Sequence, residues 1–229
     1  MKRKTVFITI AALFILGGLY LFPKMINQGE YKQYLLYVPE QLPESGKYPL
    51  LLYLHGSGKR GGDVNTLEDS GPRPFLMKNK EFPFVLVSPL CADGDSWHPL
   101  YLHRLIDSIE AKLPIDKDRI YITGLSLGGN GTWHLAHSAP DRFAAIAPLC
   151  GRAHFETEEV ANLKELPVWV FHGQKDDLVP YQESERLVNK LKELGDDVQF
   201  TLYPELGHDI WTVTYENPEL YKWFLSKNK

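Results

Sequence analysis

Apolar residues come in seven short runs, at residues 34–38, 50–54, 84–88, 119–123, 143–147, 168–171 and 198–203. Most are continuous, as in Leu50-Leu-Leu-Tyr-Leu54, and a strand apolar on successive positions is one buried on both faces, as in a parallel sheet. The last run alternates and reads as the final strand. Between the runs the spacing changes. Leu102, Leu105, Ile106, Ile109 and Leu113 recur at helical intervals, and Pro114 ends the pattern. Residues 129–139 read as a helix before Pro140, and residues 183–194 as one closed by Gly195. A last helix starts at Asn217-Pro218, with Asn217 as N-cap, and runs through Trp223 and Leu225. Strands alternating with helices predict an α/β fold, a mostly parallel central sheet with helices on both faces. Ligands in such sheets sit at the carboxyl ends of the strands.

The first residues break this pattern. Lys2-Arg3-Lys4 is followed by residues 6–22 without a charge, closed by Pro23-Lys24. The run is longer than the core of most signal peptides and slightly short for an untilted span. No small-x-small cleavage site or lipobox cysteine follows it. Residues 1–24 are therefore read first as a signal anchor with the basic end in the cytoplasm, and second as a cleaved signal peptide. A helix apolar all round does not suit a partly covered core position. Residues 25–30 form a tether and residues 31–229 the catalytic domain. Both readings put that domain outside the cytoplasm, anchored to the cytoplasmic membrane by residues 6–22 or secreted or periplasmic after cleavage. The membrane is met only through this segment.

Of the 229 residues, 44% are hydrophobic and 24% charged, enough for one ordinary core, and the net charge of −4 comes without a basic patch that would suit nucleic acid. No period repeats and no segment is of low complexity. The two cysteines, Cys91 and Cys150, each follow a predicted strand. Intervening strands are expected to keep them apart as buried thiols.

The chemistry concentrates in Gly124-Leu-Ser126-Leu-Gly128. A G-x-S-x-G pattern between a strand and a helix is a nucleophile elbow. The serine stands at the apex of a strained turn, glycines leave room for the backbone to approach its neighbours, and the helix N-terminus faces developing negative charge. A serine hydroxyl needs a base. His208, in the loop after the last strand, is where the base belongs if the chain order is serine, acid, histidine. The acid should follow the preceding strand, where Asp176 and Asp177 compete. Two backbone donors are needed for an oxyanion: the N–H of Leu127, after the nucleophile, and that of Ser57 in His55-Gly-Ser-Gly58. The long loop from residue 59 to 74 follows. Trp97 and Trp211 lie in loops at strand ends and are candidate walls of an acyl pocket, or packing anchors. His134 and His137, three apart on the elbow helix, lack the Glu or Cys framework of a metal site. His98, His103 and His154 receive no role.

Five segments together resemble the α/β-hydrolase family: Leu54-His-Gly-Ser-Gly-Lys-Arg-Gly61, residues 118–133 around the elbow, Phe143-Ala-Ala-Ile-Ala-Pro-Leu-Cys-Gly151, Val168-Trp-Val-Phe-His-Gly-Gln-Lys-Asp176 and Gly207-His-Asp-Ile-Trp211. More closely they are similar to its bacterial branch of predicted peptidases and phospholipase/carboxylesterase-like esterases, related to feruloyl and carbohydrate esterases. The resemblance spans residues 31–229. It implies an α/β-hydrolase fold, a triad of Ser126, Asp176 and His208, with Asp176 chosen over Asp177, and hydrolysis of carboxylic esters without metal or organic cofactor. The substrate implied is a small-molecule or carbohydrate-linked ester. A serine peptidase on the same triad, and a non-catalytic binding module on a hydrolase fold, are the alternatives.

Overall fold

The apolar runs fold as read, into one sheet. The computed structural model describes residues 33–79 and 83–229. The expected N-terminal signal segment and tether lie outside the described residues. Among the described residues no helix is long and apolar enough to cross a membrane.

Seven strands, β1 (Tyr34–Tyr37), β2 (Tyr48–Leu54), β3 (Val85–Pro89), β4 (Ile115–Leu125), β5 (Ala145–Leu149), β6 (Val168–Gly173) and β7 (Val198–Tyr203), stand in the order β1-β3-β2-β4-β5-β6-β7. Only β1 is antiparallel, pairing with β3; the other pairs are parallel. The helices are α1 (Arg73–Lys78), α2 (Pro99–Glu110), α3 (Leu127–Ser138), α4 (Gln182–Glu193), α5 (Trp211–Tyr215) and α6 (Pro218–Leu225). This is the α/β-hydrolase fold.

The strand periodicity of two explains why β2 is apolar throughout. Leu50, Leu52 and Leu54 enter the core on one face, with residues of α2, α3 and α4. Leu51 and Tyr53 enter the core on the other, with Tyr215 of α5 and Leu220, Tyr221, Trp223 and Phe224 of α6. All seven residues of β2 are buried. Each large apolar side chain so buried contributes about 1.5–3 kcal/mol relative to exposure.

Four elements differ from the sequence pattern. β4 starts at Ile115, four residues before the predicted run. Its first half carries Asp116, Lys117 and Asp118, and the register with β2 steps over them, from Tyr48↔Ile115 directly to Leu50↔Ile120. α1 and α5, of six and five residues, are too short for a period of 3.6 to show. β5 lies two residues later than predicted because Pro148, opposite Gly124, is accommodated within it.

The join of β4 to α3 is the tightest place in the fold. A Cβ on Gly128 would come within 2.5 Å of the Leu54 carbonyl carbon, and nearer still to its oxygen. The elbow therefore packs backbone to backbone on the end of β2. Gly128→Ala is expected to cost more than the about 1–3 kcal/mol of ordinary overpacking, because a backbone rather than a side chain must yield. A midpoint in urea unchanged from wild type would contradict this contact.

Candidate active site

β4 ends at Leu125 and α3 begins at Leu127, so Ser126 alone makes the turn. Its φ of 52° and ψ of −113° are unusual for a side chain with a Cβ and cost about 1–3 kcal/mol. The conformation is held from both sides. Ser126 N–H donates to the Leu149 carbonyl at 2.9 Å, and its own carbonyl accepts from Asn130 N–H at 2.9 Å.

The loop after β7 brings His208 to this serine. His208 Nε2 lies 2.9 Å from Ser126 Oγ, and Nδ1 lies 2.7 Å from Asp176 Oδ2. An ionised carboxylate only accepts, so Nδ1 carries the hydrogen and Nε2 is left to accept the serine proton. Gly173 allows the convergence. A Cβ there would meet the Leu206 carbonyl oxygen at 2.5 Å, so the His208 loop rests directly on the end of β6. Trp211 sits edge-on to the His208 ring, centroids 5.8 Å apart, and is half-buried. Tyr215, fully enclosed, contacts Thr123 of β4 through a 3.0 Å hydroxyl pair and so ties α5 under the site.

Asp176 follows β6, and its side chain is 0% exposed. Oδ1 accepts from Leu178 N–H and Val179 N–H, both at 2.9 Å. Oδ2 faces His208 and, at 3.1 Å, His172. Burial pushes its carboxyl upward, but the Val179 N–H, His208 and the Leu178 N–H outweigh burial and hold it below the ordinary carboxylate value. Asp177 is exposed and takes no part in this set.

On the other side of the serine, the loop after β2 carries Ser57, exposed, and the start of α3 carries Leu127. Neither N–H donates to a backbone acceptor among the described residues, as expected at first positions of helical turns. His55 fixes this loop. Its ring is fully buried, Nε2 accepts from Cys91 N–H at 3.0 Å, and Nδ1–H donates to the Gly56 carbonyl at 2.7 Å. Burial lowers its pKa, so the ring stays neutral.

Trp97 departs from the pocket role considered for it. It is 5% exposed, donates Nε1–H to the His55 carbonyl at 3.2 Å and stacks edge-on to the His55 ring at 4.9 Å. It is a packing anchor beneath the Ser57 loop, because its indole found an acceptor inside rather than a cavity. The remaining histidines are held by separate contacts, His98 by Asp95 and His103 by Ser138 and Arg142. His134 accepts from His154 N–H at 3.1 Å, and His137 stacks on Phe155. No group of three metal-ligating side chains occurs among the described residues. Cys91 and Cys150 are free and buried, with β2 and β4 standing between their strands. Burial pushes the Cys150 thiol up to about 12.

A family model for phospholipases and carboxylesterases matches residues 98–222. The chain belongs to this family. Lysophospholipase-like protein 1 of Mus musculus is 32% identical over 209 residues, covering 77% of this chain and 86% of the relative. A bifunctional acetylxylan esterase/xylanase of Neocallimastix patriciarum is 27% identical over 174 residues, 73% of this chain. This chain spans only 25% of that relative's length. A crystal structure of a thermostable esterase superposes with a TM-score of 0.72 at 32% identity, over 86% of this chain and 59% of the other.

His172 was read only as part of a strand-end motif. The available signal was a repeated pair: His55-Gly56 directly follows β2 and His172-Gly173 ends β6, and both rings are fully buried.

These buried rings make stability depend on pH on the acid side. Burial lowers the pKa of His55 and of His172, whereas in the unfolded chain both take up protons near about 6.5. The unfolded state then binds more protons, so stability falls as pH drops below about 6.5, by up to about 1.4 kcal/mol per pH unit for each ring. Asp176, with its depressed folded value, adds stability that is full above about 4 and is lost as pH falls through that lower value. Urea midpoints should decline from pH 7 to pH 5; a flat profile would show that these rings are not held neutral.

Proposed function

We propose that this protein hydrolyses carboxylic esters through an acyl-enzyme, with Ser126 as nucleophile, His208 as general base and acid, and Asp176 as the carboxylate that orients His208. The reading is supported above all by one observation, the two hydrogen bonds of His208, 2.9 Å to Ser126 Oγ and 2.7 Å to Asp176 Oδ2. Ser126 Oγ attacks the ester carbonyl carbon as its proton passes to His208 Nε2. The C=O pair moves onto oxygen, which the N–H groups of Leu127 and Ser57 stabilise at the N-terminal end of α3. Collapse expels the alkoxide, which takes the proton from Nε2, and leaves an ester on Ser126. Water then attacks that ester while His208 again removes a proton, and the acid departs with Ser126 restored.

The substrates we infer are small or carbohydrate-linked acyl esters, in keeping with the acetylxylan esterase among the relatives. Trp211, beside His208, is the candidate wall of the acyl site. The same reading takes residues 1–24 as an export signal or anchor, with the hydrolase domain outside the cytoplasm.

Ser126→Ala should keep the wild-type unfolding midpoint, or exceed it slightly, and lose p-nitrophenyl acetate turnover by about 10³-fold or more. Labelling by a fluorophosphonate should disappear with it. Turnover or labelling retained in the folded variant would remove Ser126 from the nucleophile role. Matched ester and amide substrates in the same assay separate an esterase from a peptidase on this triad.

A further inference from the structure

A histidine ring with no exposed surface meets the same oxygen of Asp176 that His208 does. His172 Nε2 lies 2.9 Å from the Val179 carbonyl and 3.1 Å from Asp176 Oδ2. Both partners are acceptors, so Nε2 carries the hydrogen and shares it between them. Nδ1 then has a free lone pair, and Ser184 Oγ, on the first turn of α4, lies 2.8 Å from it. The same hydroxyl lies 3.3 Å from the Gly151 carbonyl, next to the elbow helix. A hydrogen-bonded line therefore runs from Ser126 through His208, Asp176 and His172 to Ser184, across the ends of β4, β6 and α4. The charged and titratable groups that act on His172 are the other members of the line, Asp176 and His208, and the Cys150 thiol stands close enough to Asp176 to feel its charge.

The arrangement is expensive unless it does something. An imidazole removed from water loses hydration that Phe, of similar volume, never had. What it returns is a fourth donor to the Asp176 carboxylate, which has no cation beside it. Oδ1 is fixed by two backbone N–H groups, but without His172 the other oxygen would be held by His208 alone. His208 is the ring that gains and loses a proton in the proposed reaction.

We propose that His172 is a positioning residue of the esterase site: its Nε2–H, held in place by Ser184, fixes Oδ2 of Asp176 and tempers its basicity while His208 changes charge. This rests on the triad reading given under Proposed function. Removing the donor leaves a more basic carboxylate, which stabilises the protonated His208 ring. The acidic limb of the kcat/KM profile should therefore move to higher pH, and kcat should fall.

The test begins with the wild-type protein, in which fluorophosphonate labelling at Ser126 and an acidic limb in kcat/KM establish the triad. In that background His172→Phe should lower kcat roughly three- to tenfold and move the limb upward by about half a unit to one unit. His172→Gln, which keeps an amide N–H, should restore both in large part. A folded His172→Phe protein whose limb stays at the wild-type pH overturns the proposal, because loss of packing alone would not move it. A measurement on the unmutated protein does not depend on the variants folding. Nitrogen-15 histidine spectra should show His172 as a neutral ring with hydrogen on Nε2 from pH 6 to 8. Hydrogen on Nδ1 alone would overturn the proposal. Ser126-independent turnover in the wild type would sink both this inference and the triad, whereas an unmoved limb with Ser126 labelled would sink this inference alone.

Discussion

Asp176 is a buried anion with no cation in contact, and the end of the sheet is arranged around that constraint. A charge taken out of water must be met by partners or it neutralises. Here the partners are four N–H groups, two from the backbone at Leu178 and Val179 and two from the rings of His208 and His172. Supplying them requires the segment after β6 to turn tightly, the segment after β7 to fold back onto Gly173, and α4 to present Ser184. Several loop conformations follow from one carboxylate.

The opposite half of the site obeys a different constraint, that of backbone proximity. Ser126 is held in a strained turn by Leu149 and Asn130, and Gly128 lets α3 start against the Leu54 carbonyl. The Ser57 loop leaves β2 at that same carbonyl. His55, Cys91 and Trp97 lock it from behind. Preorganised donors are useful only when they do not have to reorganise as charge develops, and a buried, fully bonded histidine is a rigid support for them. The two strand-end His-Gly pairs thus occupy comparable places, one behind the Ser57 loop and the other behind Asp176.

Membership of the phospholipase/carboxylesterase family fits this division. The matched segment, residues 98–222, holds the elbow, Asp176, His208, Trp211 and α5, while β1, β2, β3 and the Ser57 loop lie before it.

Much was legible in the chain alone. Seven apolar runs marked seven strands, because burial on both faces demands continuous apolar sequence, and G-x-S-x-G marked the turn, because only glycine tolerates the approach of another backbone. Ser126, Asp176 and His208 could be named from their positions after strands and from family resemblance. The tertiary structure decided what depends on contacts between distant segments. β4 begins as early as Ile115 because Tyr48 of β2 pairs with it, ahead of the polar stretch. Trp97 is an anchor because the His55 carbonyl lies within its reach. The meaning of His172 emerged only when Asp176, Val179 and Ser184 were seen around its ring. Periodicity reports which side of an element is buried, but a hydrogen bond depends on which atoms the fold brings within 3 Å, and linear order does not contain that.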